Sequence, residues 1–246
     1  MKLSHEQARF FRTAGYFRLL NILSPFETAE LREFVLTEKA KEDEQRQAEG
    51  KPPVVKMYGL YDRNPMLVEN LIKNEKLVGA LTSLLGPNVV FVTNRHNHTT
   101  VNDSHGTKDE ARLHRDILQP TRGLLTAAFY LEESTIENGC TNIVPGSTEL
   151  PYVGVPQSNG GGTWMDEHEE YSGLADQALP VPMPEGSALL FNGLAFHGVG
   201  HNQTDKTRIS MTFGFRSVDE LSYEPDVTRE VLVSGQYIYR GNDRNS

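Results

Sequence analysis

His114-Arg115-Asp116 is the first arrangement in this sequence with an evident chemical use. In extended backbone, side chains repeat with period two, so an imidazole at 114 and a carboxylate at 116 project to the same side. Held that close, they can take two adjacent corners of one metal's coordination sphere. A His-x-Asp triplet alone fits equally well with a surface pair or a hydrogen-bonded core histidine. His197 offers a third ligand, in or just after the apolar run Leu190-Phe191-Asn192-Gly193-Leu194-Ala195-Phe196. Two imidazoles and one carboxylate cover one face of an octahedron and leave three positions open. That set suits non-haem Fe(II), which must receive a cosubstrate and then oxygen; a structural zinc site would be closed by four ligands. Arg208 follows eleven residues after His197, on a period-two stretch and on the face opposite Ile209, Met211 and Phe213. Its planar fork fits a carboxylate bidentately and could hold the far end of a diacid cosubstrate chelated to iron. Pairing with a protein Asp or Glu is the alternative for Arg208.

These residues need elements to position them. Ser4 and Gln7 have capping-box spacing, Phe10, Phe11 and Ala14 follow at helical intervals, and Gly15 can end the helix. Tyr16 to Leu20 reads as a short strand. Ser24-Pro25-Phe26-Glu27 combines a cap, a proline at the first helical position and a box partner; Leu31, Phe34 and Val35 form the stripe that follows. Residues 39–50 are almost wholly charged or polar and read as a solvated helix end or a loop. Asn64-Pro65 repeats the cap-then-proline signal. Leu77, Val78, Leu81, Leu84 and Leu85 share one helical face, which Gly86-Pro87 stops. After residue 87 the period changes. Residues 89–92, 124–131 and 188–191 are short apolar runs, and Ile209, Met211, Phe213 and Phe215 alternate strictly with small or polar residues. Short strands between Gly, Pro and Asn turns predict a barrel or sandwich. The expected organisation is one domain over 1–246: a helical layer at about 1–87, a β core at about 88–216 and a polar tail at 217–246. Two long segments, 102–112 and 155–179, interrupt the strands; loops of that length are uncommon in compact domains and are often lids.

Composition narrows the class. The 246 residues carry 24 Lys and Arg against 33 Asp and Glu, a net charge of −9, with eight His and one Cys. A lone Cys140 excludes a disulfide scaffold and a Cys-based zinc finger. No apolar run approaches the ~20 residues that span a bilayer, and the N-terminus lacks the apolar core of a secretory leader. An acidic balance argues against nucleic acid as a partner. The expectation is a cytoplasmic monomer or homodimer that handles a small molecule and neither nucleic acid nor membrane. Any metal site should use nitrogen and oxygen ligands.

The order His-x-Asp, a gap of several strands, His, then Arg eleven residues on resembles the phytanoyl-CoA dioxygenase-like family of Fe(II)/2-oxoglutarate oxygenases. The segment Glu137-Asn138-Gly139-Cys140-Thr141-Asn142-Ile143-Val144-Pro145-Gly146-Ser147 is similar to that family's "ENGC…PGS" stretch. Gly15, Tyr16, Leu20, Leu23, Ser24, Glu30, Leu31 and Arg32 resemble its opening. The likeness spans roughly residues 4–216. It implies a double-stranded β-helix (jelly roll, cupin-like) with an N-terminal helical layer. It also implies an enzyme using Fe(II), 2-oxoglutarate and O2, with iron on His114, Asp116 and His197. Arg208 would take the distal carboxylate of 2-oxoglutarate, Thr141 would donate a hydroxyl to it, and Asn97 would be a further polar contact. The family's "PGSH" reads Pro145-Gly146-Ser147-Thr148 here, and His201 is an extra histidine whose spacing to Arg208 makes it the poorer ligand. Asp116 is retained, whereas halogenating relatives replace that carboxylate.

Other candidates carry less. His96 and His98 have the spacing of a cupin-type pair, or are half-exposed strand residues. Cys140 has no base beside it in sequence. Gly160-Gly161-Gly162 lacks the lysine of a phosphate loop. Hydroxylation of a C–H bond is the default outcome, with epimerisation, desaturation or ring closure available to the same oxidant. Asp103, Asp109, Glu110, Asp166, Glu167, Glu169 and Glu170 lie in the two long loops. If they line the mouth, they would favour a cationic or polyhydroxylated substrate such as an amino sugar. Competing classes are a non-oxidative cupin-like binding protein and a metal-dependent isomerase.

Overall fold

The computed structural model describes residues 2–102, 112–118, 123–150, 163–220 and 226–237. The N-terminal third is helical as the caps require. Helix α1 (His5–Ala14) begins in a complete capping box between Ser4 and Gln7 and ends at Gly15 in the left-handed conformation. After strand β1 (Tyr16–Leu19), α2 (Pro25–Ala48) begins in a second complete box between Ser24 and Glu27. The charged stretch 39–50 is therefore helical almost to its end. It is laced by the i,i+4 pair Lys39–Asp43 and the i,i+3 pair Lys41–Glu38, and Asp43 accepts the Val54 N–H from beyond the helix. Strand β2 (Lys56–Tyr58), the single turn α3 (Leu60–Arg63), α4 (Pro65–Ile72) and α5 (Glu75–Leu85) follow, and Asn64 and Asn74 cap the last two helices.

The β core contains β3 (Val89–Val92), β4 (Asn97–Asn102), β5 (Leu125–Tyr130), β6 (Thr141–Ile143) and β7 (Leu179–Val181). It continues with β8 (Ser187–Asn192), β9 (His197–Val199), β10 (Arg208–Ser217) and β11 (Glu230–Ser234). The pairings are antiparallel. The large sheet runs β1-β8-β5-β10-β3-β11, with β4 on β10 and β2 on β4; β7-β6-β9 form the small sheet. Strand β10 is the spine. Its first half pairs with β4 (Arg208↔Asn102 to Phe213↔Asn97) and its second half with β3, while β5 lies along its other edge. Mainly β architecture with N-terminal helices is the cupin-like jelly roll that the sequence led us to expect.

Three strands lie outside the expected β core. Strands β1 and β2 come from the helical third, and β11 comes from the stretch read as a polar tail. Isolated short strands such as these gain stability only from a sheet edge supplied by distant sequence.

Alternation on β10 divides the interior. Ile209, Met211, Phe213 and Phe215 face the helices, in a large core with Leu31, Val68, Leu77 and Phe91. The opposite face looks toward the small sheet. There a smaller cluster, including Ala128, Tyr130, Ile143, Leu189 and Phe191, surrounds a cavity. The second long segment is not structureless where it is described. Met165–Glu167 and Glu169–Gln177 are 3₁₀ turns, and Met165 and Tyr171 pack with Val144 and Phe196. Residues 103–111 and Gly160-Gly161-Gly162 lie outside the described residues.

Candidate active site

His114, Asp116 and His197 converge. One ligand atom from each lies within 4.8 Å of the others. The Asp116 Oδ1 is 3.8 Å from His114 Nε2 and 3.7 Å from His197 Nε2. Backbone pairing produces this convergence across a long stretch of sequence. His114 N–H donates to the His197 carbonyl at 2.8 Å, and His197 N–H returns a bond to the His114 carbonyl at 2.9 Å. Asp116 and Ile117 both donate to the Gly193 carbonyl. His197 Nδ1 sits 2.9 Å from the Ala195 carbonyl, which fixes the ring so that Nε2 faces Asp116. Phe191 packs against the His197 ring and Trp164 against that of His114. Gly198 lets β9 pass: a Cβ there would lie 2.5 Å from the Arg112 carbonyl oxygen.

The Asp116 carboxylate is held by more than the triad. Thr126 Oγ1 donates to Oδ2 at 3.1 Å, and His96 Nε2 is 3.3 Å from Oδ1, while His96 Nδ1 lies 3.2 Å from the same threonine hydroxyl. His96 adopts a positive φ of 52°, which is uncommon for a residue with a side chain. Burial alone would raise the Asp116 pKa, but the surrounding His197 and His96 rings outweigh it, and the carboxyl is held well below its ordinary range. Burial, reinforced by His197, pushes His114 down to about 4, so its imidazole is neutral and able to ligate near pH 7. Two imidazole nitrogens and a carboxylate oxygen on one side of an open cavity fit iron(II).

That cavity, of about 300 Å³, is lined by the triad and by residues of β2, β4, β5, β8 and β10. At one end Arg208, fully buried, lies beside Thr141 and Tyr130, whose hydroxyls are 2.8 Å apart. The guanidinium and two hydroxyls form a cradle suited to a carboxylate. Lys56, Tyr58 and His98 line the cavity's β2–β4 side, in the rows of Ser210 and Thr212, and His96 lines it beside Asp116. Burial, with Lys56 adding to it, pushes His98 down to about 2, so that ring is uncharged.

Asn97 must be corrected: the structure does not bring it to the cavity. Its Oδ1 accepts the Tyr61 N–H and its Nδ2 donates to the Thr93 carbonyl, so its amide is consumed in holding the turn before β4. Period two places His98, Thr100 and Asn102 on the opposite face of that strand. Asn102 pairs in register with Arg208, and both its side-chain polar atoms are buried with no hydrogen-bond partner among the described residues. The clue available in sequence was the parity shared with His98, since that residue was already a candidate. Tyr130 and Thr126 were missed because both sit in an apolar run that reads only as core.

His201 is exposed and outside the convergent group. Cys140 is buried, and burial raises its pKa, opposite to an activated thiolate. Asp166 is ion-paired with Arg112, whose guanidinium covers Trp164, and among the described acids only Asp116 lines the cavity.

The family model for phytanoyl-CoA dioxygenase (PhyH) matches residues 11–210, a span that contains the triad and Arg208. The chain belongs to this family. It is a non-haem Fe(II)/2-oxoglutarate-dependent dioxygenase whose cofactors are iron, 2-oxoglutarate and oxygen. Among curated relatives, this PhyH-family chain is 26% identical to an ectoine dioxygenase of Nocardia farcinica, over 89% of this chain and 80% of the relative. Among solved structures, it is similar to EctD from S. alaskensis with 2-oxoglutarate and 5-hydroxyectoine (TM-score 0.68, 21% identity, 88% of this chain and 77% of that one). It is also similar to the epimerase SnoN in complex with Fe3+, alpha ketoglutarate and nogalamycin RO (TM-score 0.64, 19% identity, 94% and 96%). At these identities the two structures speak for the PhyH fold alone. Among the described residues, no helix is long and apolar enough to cross a membrane.

Proposed function

We propose that this PhyH-family protein hydroxylates a C–H bond of a small molecule, with His114, Asp116 and His197 as the iron ligands and Arg208, Thr141 and Tyr130 as the cradle for 2-oxoglutarate. One observation carries the reading: the convergent triad shares one cavity with a carboxylate cradle made of a buried guanidinium and two hydroxyls. A bound iron would couple decarboxylation of 2-oxoglutarate to oxidation of the substrate C–H bond. The protein's own work is positional. Arg208 and the paired hydroxyls fix the far carboxylate, so the keto-acid end reaches the triad. Phe191 packs against the His197 ring and Trp164 against that of His114, which limits how each ligand ring can turn.

Epimerisation, named for SnoN, would need the substrate radical to escape hydroxyl transfer. A non-oxidative binding protein would have no use for a buried guanidinium and two hydroxyls at the end of a metal cavity. The acids of the long segments do not support a cationic substrate where they are described, because none of them lines the cavity.

The test is anaerobic titration with Fe(II) and 2-oxoglutarate, followed by succinate measurement in air. A metal-to-ligand charge-transfer band and succinate are expected. His114→Ala and His197→Ala should abolish both, and His201→Ala should retain both. Loss of iron in His201→Ala alone would move the third ligand to that residue.

A further inference from the structure

Behind the iron ligands, on the side away from the cavity, lies a second set of contacts. Arg115 sits between His114 and Asp116 in the chain, and period two turns its side chain away from theirs. Phe196 precedes His197 and is fully buried in the cluster with Val144, Met165 and Tyr171. The two side chains meet there. The Arg115 guanidinium lies 4.2 Å from the centre of the Phe196 ring and 5.5 Å from that of Tyr171, and the two rings meet edge-on at 5.4 Å. Arg115 also donates to the Ser147 carbonyl at 2.9 Å, and the Ser147 hydroxyl accepts the Phe196 N–H at 2.8 Å.

Arg115 is 4% exposed. Among the described residues its partners are the carbonyls of Ser147 and Leu150 and two aromatic rings rather than a carboxylate. A buried cation held in this way is costly as a space filler, since an apolar side chain would pack there without desolvating charge. A planar guanidinium adds reach, because it stacks on rings and donates in its own plane at once. Here those contacts join both ligand strands to one segment, residues 163–177. The same segment grips the backbone of the His114 strand. Arg115 N–H donates to the Thr163 carbonyl at 2.9 Å, Met165 N–H donates to the Leu113 carbonyl at 2.8 Å, and the Trp164 ring lies 5.0 Å from that of His114.

We infer that Arg115 is a positioning residue for the iron site: with Tyr171 and Phe196 it seats the 163–177 segment against the two ligand strands, so that seating of the segment and binding of iron are one coupled equilibrium. The inference rests on the reading of His114, Asp116 and His197 as iron ligands and extends it to residues that touch no iron. Coupling of this kind is reciprocal. A seated segment tightens iron binding by the same factor by which iron favours the seated segment.

Trp164 is the only tryptophan of the chain, so its emission reports this segment alone, and Glu167, Glu169 and Glu170 give a glutamyl protease three cut sites within it. Full-length protein is titrated anaerobically with Fe(II), well below the melting temperature of each variant so that global unfolding does not contribute. Trp164 emission is followed, and cleavage within 167–170 is timed by mass spectrometry. In wild type, saturating iron should slow that cleavage by about tenfold, an ordinary size for coupling between sites, and emission should change with the Kd of iron binding. Cleavage at Glu49, just after α2, is the control and should not respond to iron. Tyr171→Ala alters no group bonded to a ligand residue, yet it should weaken iron binding by about tenfold and speed cleavage of the iron-free protein. Arg115→Met should do the same, and Tyr171→Phe, which keeps the ring, should retain wild-type behaviour. Iron that leaves cleavage within 167–170 unchanged in wild type, or wild-type iron affinity in Tyr171→Ala, would overturn the inference. If Arg115→Met does not fold, Tyr171→Ala decides. Wild-type iron affinity in His114→Ala would sink the ligand assignment and this inference with it, whereas loss of iron in His114→Ala without protection of the segment in wild type sinks only this inference.

Discussion

Asp116 is the most constrained side chain of the site. It faces three histidine rings, and its second oxygen takes a hydrogen bond from Thr126. A ligand carboxylate fixed by an outer partner keeps its donor oxygen aimed, and loss of such partners commonly costs about 10–100-fold in metal affinity. Thr126→Val keeps the shape and removes both the bond to Asp116 and the contact to His96. It should weaken iron binding by roughly that factor, measured by anaerobic Fe(II) titration, while succinate formation recovers at saturating iron. Unchanged iron affinity would show that Thr126 only fills space. At this scale the sequence was legible for the ligands and partly legible for their supports. His114, Asp116, His197 and Arg208 are residue types with few neutral explanations in combination. Asn97 misled because asparagine serves turns as readily as ligands, and here its amide is used by the backbone.

The element that decides the site is β9. It is only three residues long (His197–Val199), yet it carries one ligand, pairs with β6 and exchanges two backbone hydrogen bonds with His114. Its close passage over residue 112 depends on Gly198. Gly198→Ala would set a methyl 2.5 Å from the Arg112 carbonyl oxygen, against backbone that has no rotamer with which to retreat. The expected cost is about 1–3 kcal/mol of stability from overpacking, read in urea unfolding, together with loss of stoichiometric iron because His114 and His197 are forced apart. Full iron content in this variant would mean that the two strands can slide without breaking the triad. Helices were easier to read from sequence than these short strands. Capping boxes at Ser4 and Ser24 are local and announce themselves within four residues. The 3₁₀ turns at Met165–Glu167 and Glu169–Gln177 have no such signal, because contacts with Val144 and Phe196 hold them.

Over the whole molecule, the stabilising core and the reacting cavity occupy opposite faces of one sheet. The large core packs β10 against α2, α4 and α5, and no ligand of the triad belongs to it. Folding should therefore not require iron. Chelation should leave the far-UV circular dichroism unchanged and lower the unfolding free energy only by linkage, about 2.7 kcal/mol where free metal stood at a hundred times its Kd. Collapse of the helical signal on adding chelator would show that the metal is part of the fold. What the sequence determined by itself was whatever is local or compositional: the helix starts, the alternation of β10, the ligand types and the resemblance that joined them. What only the tertiary structure decided was which residues share a space. Pairing of His114 with His197, of Lys56 and Tyr58 with β4, and of β11 with β3 joins segments far apart in the chain. Such contacts depend on sheet register, and a one-residue shift in register would turn every side chain to the other face.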